Sequence, residues 1–184
     1  MGMSSKRTDV TGFKFKTILL VAMAVVWFMP GSARASEEAD VRAVVQQVFQ
    51  QLQSRDFGAV YDSLPSSSRT RMSRDGFIKA LTRSQNRYAL DRISIGAVRV
   101  AGNIAVADTE LYGRVSSPIP AEGKIVVQQY LVREAGKWRV ATGDSGTINK
   151  FLRSNPAFAR KFPIRQPRIY VKQGDNWLEM NPGK

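Results

Sequence analysis

The chain of 184 residues contains neither cysteine nor histidine. Without cysteine it can form no disulfide, so packing alone must hold the fold together. Without either residue type the sequence lacks the soft metal ligands and the usual neutral-pH acid–base group. Ser–His–Asp catalysis, Cys–His catalysis and zinc sites are therefore excluded, and we predict no metal and no cofactor.

Long hydrophobic runs are almost absent, and the one clear run extends from Ile18 to Met29. Small residues follow it at Ala33 and Ala35, and four basic residues precede it, namely Lys6, Arg7, Lys14 and Lys16. This pattern predicts a secretory signal at residues 1–35, cleaved after Ala35, and export by the general route to the periplasm or the extracellular space. The alternative is an uncleaved anchor, which would be the chain's one membrane contact. A run this short spans roughly 18 Å of a bilayer core of about 30 Å, which favours cleavage.

Acidic residues are scarce relative to basic ones: 15 acidic and 28 basic residues give a formal net charge of +13. Residues 145–184 hold eight basic and two acidic residues, so the excess is greatest in this tail. For an exported protein this favours an anionic envelope surface or an acidic protein, and no nucleic acid. The alternatives are a merely solubilising charge or a tail that packs on the domain. The contact candidates are Lys150, Arg153, Arg160, Lys161, Arg165 and Arg168.

The first half of the exported part has helical patterns. Ser36 is expected to cap a helix whose apolar face contains Val41, Val44, Val45, Val48, Phe49 and Leu52. Asp56 is expected to cap a short helix over residues 57–64, which Pro65 and a serine run end. A third helix is predicted from Ser73, with Phe77, Ile78, Leu81 and Tyr88 on its inner face.

Strand patterns follow from Leu90. Residues 92–115 read as a hairpin with a bulge at Gly96, residues 124–134 as a third strand and residues 137–142 as a fourth. The predicted fold class is α+β, with three N-terminal helices packed on one face of a curved antiparallel sheet of about four strands. The basic tail is expected to hold two short helices between residues 147 and 162, then a hairpin of residues 168–172 and 177–180.

The element order, the pair Asp56-Phe57 and the segment Gly136-Lys137-Trp138-Arg139-Val140 resemble the nuclear transport factor 2-like, or cystatin-like cone, superfamily. The resemblance covers residues 37–143. It implies a cone-shaped sheet that encloses a pocket, used for catalysis by some members and only for binding by others. We accordingly divide the chain into residues 1–35 (signal), 36–144 (cone domain) and 145–184 (basic extension).

Three carboxylates are candidate acid–base groups. Asp108 and Glu110 alternate along one strand and therefore share a face with Tyr112. If this face lines the cone, they could transfer protons; if it faces outward, they are solvated charges paired with Arg99 or Arg133. Asp62 is the third candidate, with pairing to an arginine as its alternative.

A second set of residues could line a ligand pocket or simply form the core. Gln128 and Gln129 are adjacent in an apolar strand, so one of them must face inward, and a buried amide needs hydrogen-bond partners. The pocket candidates are Tyr61, Tyr88, Tyr112, Gln128, Tyr130 and Trp138.

Together these observations favour an exported, non-enzymatic binding or interaction domain of unassigned ligand, with a basic tail that contacts an anionic surface or acidic partner. An apolar small molecule is a candidate occupant of the cone. One alternative is a small pocket enzyme of the isomerase, dehydratase or cyclase type that uses the carboxylates. The other is a structural accessory of an envelope assembly. A homodimer is compatible with each hypothesis.

Overall fold

The computed structural model describes residues 30–116 and 120–180, and residues 30–34 only by their backbone. The apolar run Ile18–Met29 lies outside the described residues. Four helices precede the first strand: α1 (Pro30–Gln53), α2 (Phe57–Asp62), α3 (Ser66–Arg71) and α4 (Arg74–Gln85). No helix in the described ranges is both long and apolar enough to cross a membrane.

The predicted helix starts are confirmed at Asp56 and Ser73. The Asp56 carboxylate accepts a hydrogen bond from the backbone N–H of Ala59 at 3.1 Å, and the Ser73 hydroxyl accepts one from Gly76 at 3.2 Å. The prediction for Ser36 is wrong, because α1 begins at Pro30 and is already helical at Ser36. Proline suits the first turn of a helix, and the alanines that follow it continue a helix readily.

The predicted number of three N-terminal helices is wrong, because the serine run forms α3 instead of ending a helix. Pro65 is the residue immediately before α3, and its ring fixes its own φ, which is −58°. Ser66 and Ser68 hydrogen-bond to Glu134 and Asp144, which are distant in sequence. Their hydroxyls therefore do not compete with the helical backbone, which is how serine usually disfavours helices.

The sheet is curved and antiparallel, and it has six strands where about four were predicted. They are β1 (Tyr88–Ala101), β2 (Ile104–Val115), β3 (Ala121–Glu134), β4 (Lys137–Val140), β5 (Arg168–Gln173) and β6 (Asn176–Met180). The order is β1-β2-β3-β5-β6, and β4 also pairs with β3. The predicted bulge near Gly96 is confirmed by a register shift between Ile95 and Val98.

The tail hairpin, β5 and β6, adds to the same edge of β3 that β4 uses. Residues 131–134 of β3 pair with β4, and residues 123–126 pair with β5. The hairpin itself agrees with the sequence pattern. Its place in the main sheet could not be predicted from local periodicity, because the pairing joins residues 42 to 48 positions apart.

Both faces of the sheet are covered near the β1–β2 turn. On the helical face, α1 buries Val41, Val45 and Val48 against Val98, Val100, Ala105, Ala107, Leu131 and Trp138. On the opposite face, which we call the outer face, α5 (Ser145–Arg153) and α6 (Pro156–Lys161) cover Ile104, Val106, Tyr130 and Val132. The prediction of helices on one face is therefore incomplete, since the two predicted tail helices cover the other face.

Candidate ligand cavity

A largely apolar cavity of about 250 Å³ lies between the helices and the helical face of the sheet. Helices α1, α2 and α4 supply one wall, and the sheet supplies the other. The apolar lining is Val45, Val48, Phe49, Leu52, Val60, Leu64, Phe77, Leu81, Ile93, Leu111 and Val140, and the two polar lining residues are Gln129 and Thr142. We call this space the inner cavity.

The backbone of β3 and of the segment after β4 directs the two polar lining residues toward the inner cavity. Gln129 is opposite Ala107 in the β2–β3 ladder and therefore shares the helical face with it. Thr142 follows β4, and its hydroxyl oxygen accepts a hydrogen bond from the backbone N–H of Tyr130 at 3.0 Å. Its proton remains available for donation. The Gln129 amide can both donate and accept, so this side of the cavity can bind one polar group.

A more polar cleft of about 460 Å³ adjoins the inner cavity and shares four lining residues with it, Leu64, Phe77, Val140 and Thr142. Its other lining residues include Ser68, Arg71, Met72 and Asp144. We call this space the outer cleft. The largely apolar inner cavity therefore lies beside a more polar cleft.

Asp144 is the one carboxylate among the described residues that line the outer cleft. It accepts hydrogen bonds from the Ser68 hydroxyl at 2.5 Å, and from the backbone N–H and hydroxyl of Thr147 at 3.0 and 2.7 Å. Arg71 forms an ion pair with it. Burial would raise the pKa of Asp144, but the bonds from Ser68 and Thr147 and the charge of Arg71 outweigh burial and lower the pKa to about 2. The carboxylate is therefore ionised near neutral pH.

The three candidate acid–base residues lie away from the inner cavity. Asp108 and Glu110 are on the outer face, where Asp108 pairs with Arg99 at 2.8 Å. Glu110 accepts a hydrogen bond of 2.5 Å from Tyr112, and this bond, with a smaller contribution from burial, raises the pKa of the Tyr112 hydroxyl. Asp62 ends α2 and is 3.3 Å from Arg74.

The aromatic pocket candidates are distributed over several places. Tyr61 packs its ring on Phe77, behind the cavity wall, and its hydroxyl lies within 3.0 Å of the carbonyl oxygens of Arg69 and Met72. Tyr88 accepts a hydrogen bond from Ser84 and borders an apolar groove at the far end of the sheet.

Trp138 lies on the helical face beneath Arg133, whose guanidinium carbon is 4.3 Å from the ring centre. It borders a separate groove beside α1 that Asp40 and Asp62 also line. Tyr112 and Tyr130 lie on the outer face. None of the five aromatic candidates lines the inner cavity.

Gln128 points to the outer face, and its side-chain oxygen is buried without a hydrogen-bond partner among the described residues. Its neighbour Gln129 lines the inner cavity. Sequence alternation indicates that one of the two amides faces inward, but it does not indicate which one. The contacts of Ala107, which is opposite Gln129, settle the choice.

The six basic tail candidates are all exposed, and no ion pair joins any of them to an acid within residues 30–116 and 120–180. Lys150 and Arg153 are on α5, and Arg160 and Lys161 are on α6. Arg165 follows α6, and Arg168 begins β5. Across the same ranges, no three acidic side chains are grouped closely enough to hold a metal ion.

No protein-family model matches the chain, and no curated protein matches it in sequence. Among solved structures, the chain is similar to Rv3472, a protein of unknown function from Mycobacterium tuberculosis, at 12% identity and a TM-score of 0.45, covering 61% of this chain and 72% of that one. It is also similar to an NTF2-like protein of unknown function from Pseudomonas putida, at 13% identity and a TM-score of 0.38, covering 58% and 82%. A third match, a structure described as an epoxide hydrolase from M. tuberculosis, has 14% identity and a TM-score of 0.39, covering 68% and 99%.

These likenesses concern the fold alone. The helices, the antiparallel sheet and the cavity between them have the α+β arrangement that the sequence resemblance implied.

Proposed function

We propose that the protein is an exported binding protein that holds a small, largely apolar molecule bearing one hydrogen-bonding group in the inner cavity. The observation that carries this proposal is the composition of the cavity wall. Apolar side chains surround the space, and Gln129 and Thr142 supply the polar contacts. Apolar lining with a few convergent polar groups is typical of small-molecule sites.

The size of the space favours a small ligand. The inner cavity of about 250 Å³ is slightly below the common range for ligand sites, about 300–1,000 Å³. The outer cleft extends the available volume toward solvent. A ligand with its apolar body in the cavity and its polar end near Thr142 would match the change from an apolar to a polar lining.

Binding fits the lining better than the alternative of a pocket enzyme. An isomerase, dehydratase or cyclase of this kind would need an acid–base group in the cavity. Asp108, Glu110 and Asp62 do not line it. Asp144 borders the outer cleft, but its pKa of about 2 and its four bonded contacts make it a poor proton carrier near neutral pH. For this reason we propose a binding protein rather than an enzyme.

Cavity filling tests the proposal. The probe is 2-naphthol, an apolar ring system with one hydroxyl, and its fluorescence reports binding. In Leu81→Phe the larger ring would occupy the cavity, and we expect binding to weaken at least tenfold. Ile78→Phe is the matched control, because Ile78 lies on the same helix, is only partly buried and does not line the cavity. Its binding should match that of the parent protein.

The polar contact has its own test. Gln129→Leu keeps the size of the side chain and removes the amide, so 2-naphthol should bind roughly fivefold more weakly, which is the effect of about one net hydrogen bond. Naphthalene, which has no hydroxyl, should bind the parent and this variant equally. Failure of the parent protein to bind 2-naphthol, or equal binding by Leu81→Phe and Ile78→Phe, would contradict the proposed cavity function.

A further inference from the structure

The segment from Arg160 to Arg168 combines positive charge with an exposed apolar side chain. It contains four basic residues and no acid, and all four basic side chains are exposed. Ile164, at its centre, is 39% exposed and is one of five large apolar side chains that are exposed among the described residues. Arg160 and Lys161 end α6, and Arg168 begins β5. We call these three residues, with Ile164 and Arg165 between them, the basic loop.

Contacts of Phe162 with the outer face of the sheet and with α6 hold the basic loop in place. Tyr130 donates a hydrogen bond of 2.7 Å to the carbonyl oxygen of Phe162, and burial raises the pKa of the Tyr130 hydroxyl. The Phe162 ring packs on Phe158 at 4.8 Å between ring centres, and Arg99 lies 4.9 Å from it on the outer face. The loop is therefore presented on a packed base, with Pro163 and Pro167 restricting its backbone.

We infer that the basic loop docks the protein on an anionic lipid bilayer, with the cations at the head groups and Ile164 inserted at the interface. Charge complementarity supplies the first argument, since each Lys or Arg near an anionic bilayer contributes to attraction. Ile164 supplies the second. A soluble acidic polysaccharide offers no apolar layer for this side chain, whereas the boundary between head groups and acyl chains does.

This inference is independent of ligand binding in the inner cavity, but it does rest on the proposed export of the chain. The test therefore uses protein recovered after expression of the full chain in a secreting bacterium. Its intact mass defines the N-terminus, and every variant is prepared in the same way. Any contribution of residues 1–35 is then equal in all samples.

The measurement is co-sedimentation with vesicles of phosphatidylglycerol and phosphatidylcholine, compared with vesicles of phosphatidylcholine alone. We expect binding only to the anionic vesicles. The variant R160Q/R165Q/R168Q should bind them roughly 100-fold more weakly. The matched control K79Q/R83Q/R87Q removes the same charge from exposed positions on or just after α4 and should lose far less affinity.

Substitution of the apolar side chain separates a bilayer from a soluble polyanion. Ile164→Ser should weaken binding to anionic vesicles several-fold and leave binding to poly-glutamate unchanged. Met72→Ser, at another exposed apolar position, should change neither. Equal vesicle binding by Ile164→Ser and the parent would overturn the bilayer inference, and binding to poly-glutamate alone would point to an acidic protein or glycan. The charge variants should bind 2-naphthol like the parent, so a failure here leaves the cavity proposal intact.

Discussion

The Ser68 hydroxyl donates a 2.5 Å hydrogen bond to the carboxylate of Asp144. Because Asp144 immediately precedes α5, this bond connects α3 to the start of α5. A second bond, 2.7 Å between the hydroxyls of Ser67 and Thr147, runs parallel to it. Asp144 also caps α5 through the backbone N–H of Thr147. One partly buried carboxylate therefore connects the outer cleft to the beginning of the tail.

Removing the charge of Asp144 should destabilise the protein near neutral pH. Asparagine remains a good helix cap, so Asp144→Asn isolates the charge. A pKa lowered from 3.8 to about 2 corresponds to about 2 kcal/mol of unfolding free energy. Urea unfolding at pH 7 should show this loss. Asp62→Asn, which breaks an exposed pair with Arg74, should lose less than about 1 kcal/mol.

The same carboxylate predicts a pH dependence. Because the folded pKa is the lower one, Asp144 stabilises the fold fully only above its unfolded pKa, and this contribution is lost as the pH falls from about 4 through about 2. The stabilities of the parent and Asp144→Asn should therefore converge as the pH approaches 2. A constant difference between pH 7 and pH 2 would show that charge is not the cause.

Gly113 is required by its close approach to β1. A Cβ at this position would overlap the backbone carbonyl oxygen of Ala89, and backbone cannot rotate away as a side chain can. We expect Gly113→Ala to lower the free energy of unfolding by about 2–3 kcal/mol. At Gly123, directly opposite in β3, the nearest atom to an added Cβ is a methyl of Val115 at 3.4 Å. Gly123→Ala should therefore change stability by less than about 1 kcal/mol, and equal losses would refute the steric explanation.

Lys124 connects the tail hairpin to the sheet through aromatic rings. Its ammonium lies 5.9 Å from the Tyr112 ring centre, 5.0 Å from that of Tyr170 and 5.2 Å from that of Trp177. Lys124→Met keeps the stem and removes the charge, so we expect a loss of about 1 kcal/mol and faster amide exchange in β5 and β6. Lys150→Met, at an exposed lysine on α5, should alter neither measurement. Identical exchange in both variants would mean that the charge of Lys124 does not hold the hairpin.

Processing after Ala35 is open to direct measurement. If residues 1–35 are a cleaved signal, the mature protein begins at Ser36, and intact mass spectrometry of exported protein should find this N-terminus. Ala35→Asp removes the small residue before the cleavage point and should cause the uncleaved precursor to accumulate. A precursor that remains full length in the parent protein would favour the anchor alternative.

The sequence was informative where structure is local. The spacing of Val41, Val45 and Val48 indicated the buried face of α1, and Gly96 marked the bulge in β1. The sequence did not indicate which residues far apart in the chain contact each other. Ser68 and Asp144 are 76 positions apart, so no local pattern could reveal the serine run as a helix bonded to Asp144.

The candidate site shows the same limit. Period-two alternation separates the faces of a strand, but the choice of the face that meets the helices depends on packing. Gln129 therefore lines the inner cavity, while its predicted neighbour Gln128 lies on the outer face. Thr142 was placed in the predicted fourth strand but not among the site residues, and in the structure it lies just beyond the end of β4.

The division of the β3 edge between β4 and β5 has a consequence for shortened forms of the chain. A product that ends before Arg168 would retain β4 but leave the backbone groups of residues 123–126 without β5. Unpaired edges of this kind recruit strands from other molecules. C-terminal nicking should therefore expose this edge of β3 and promote aggregation, whereas in the intact protein β5 covers it.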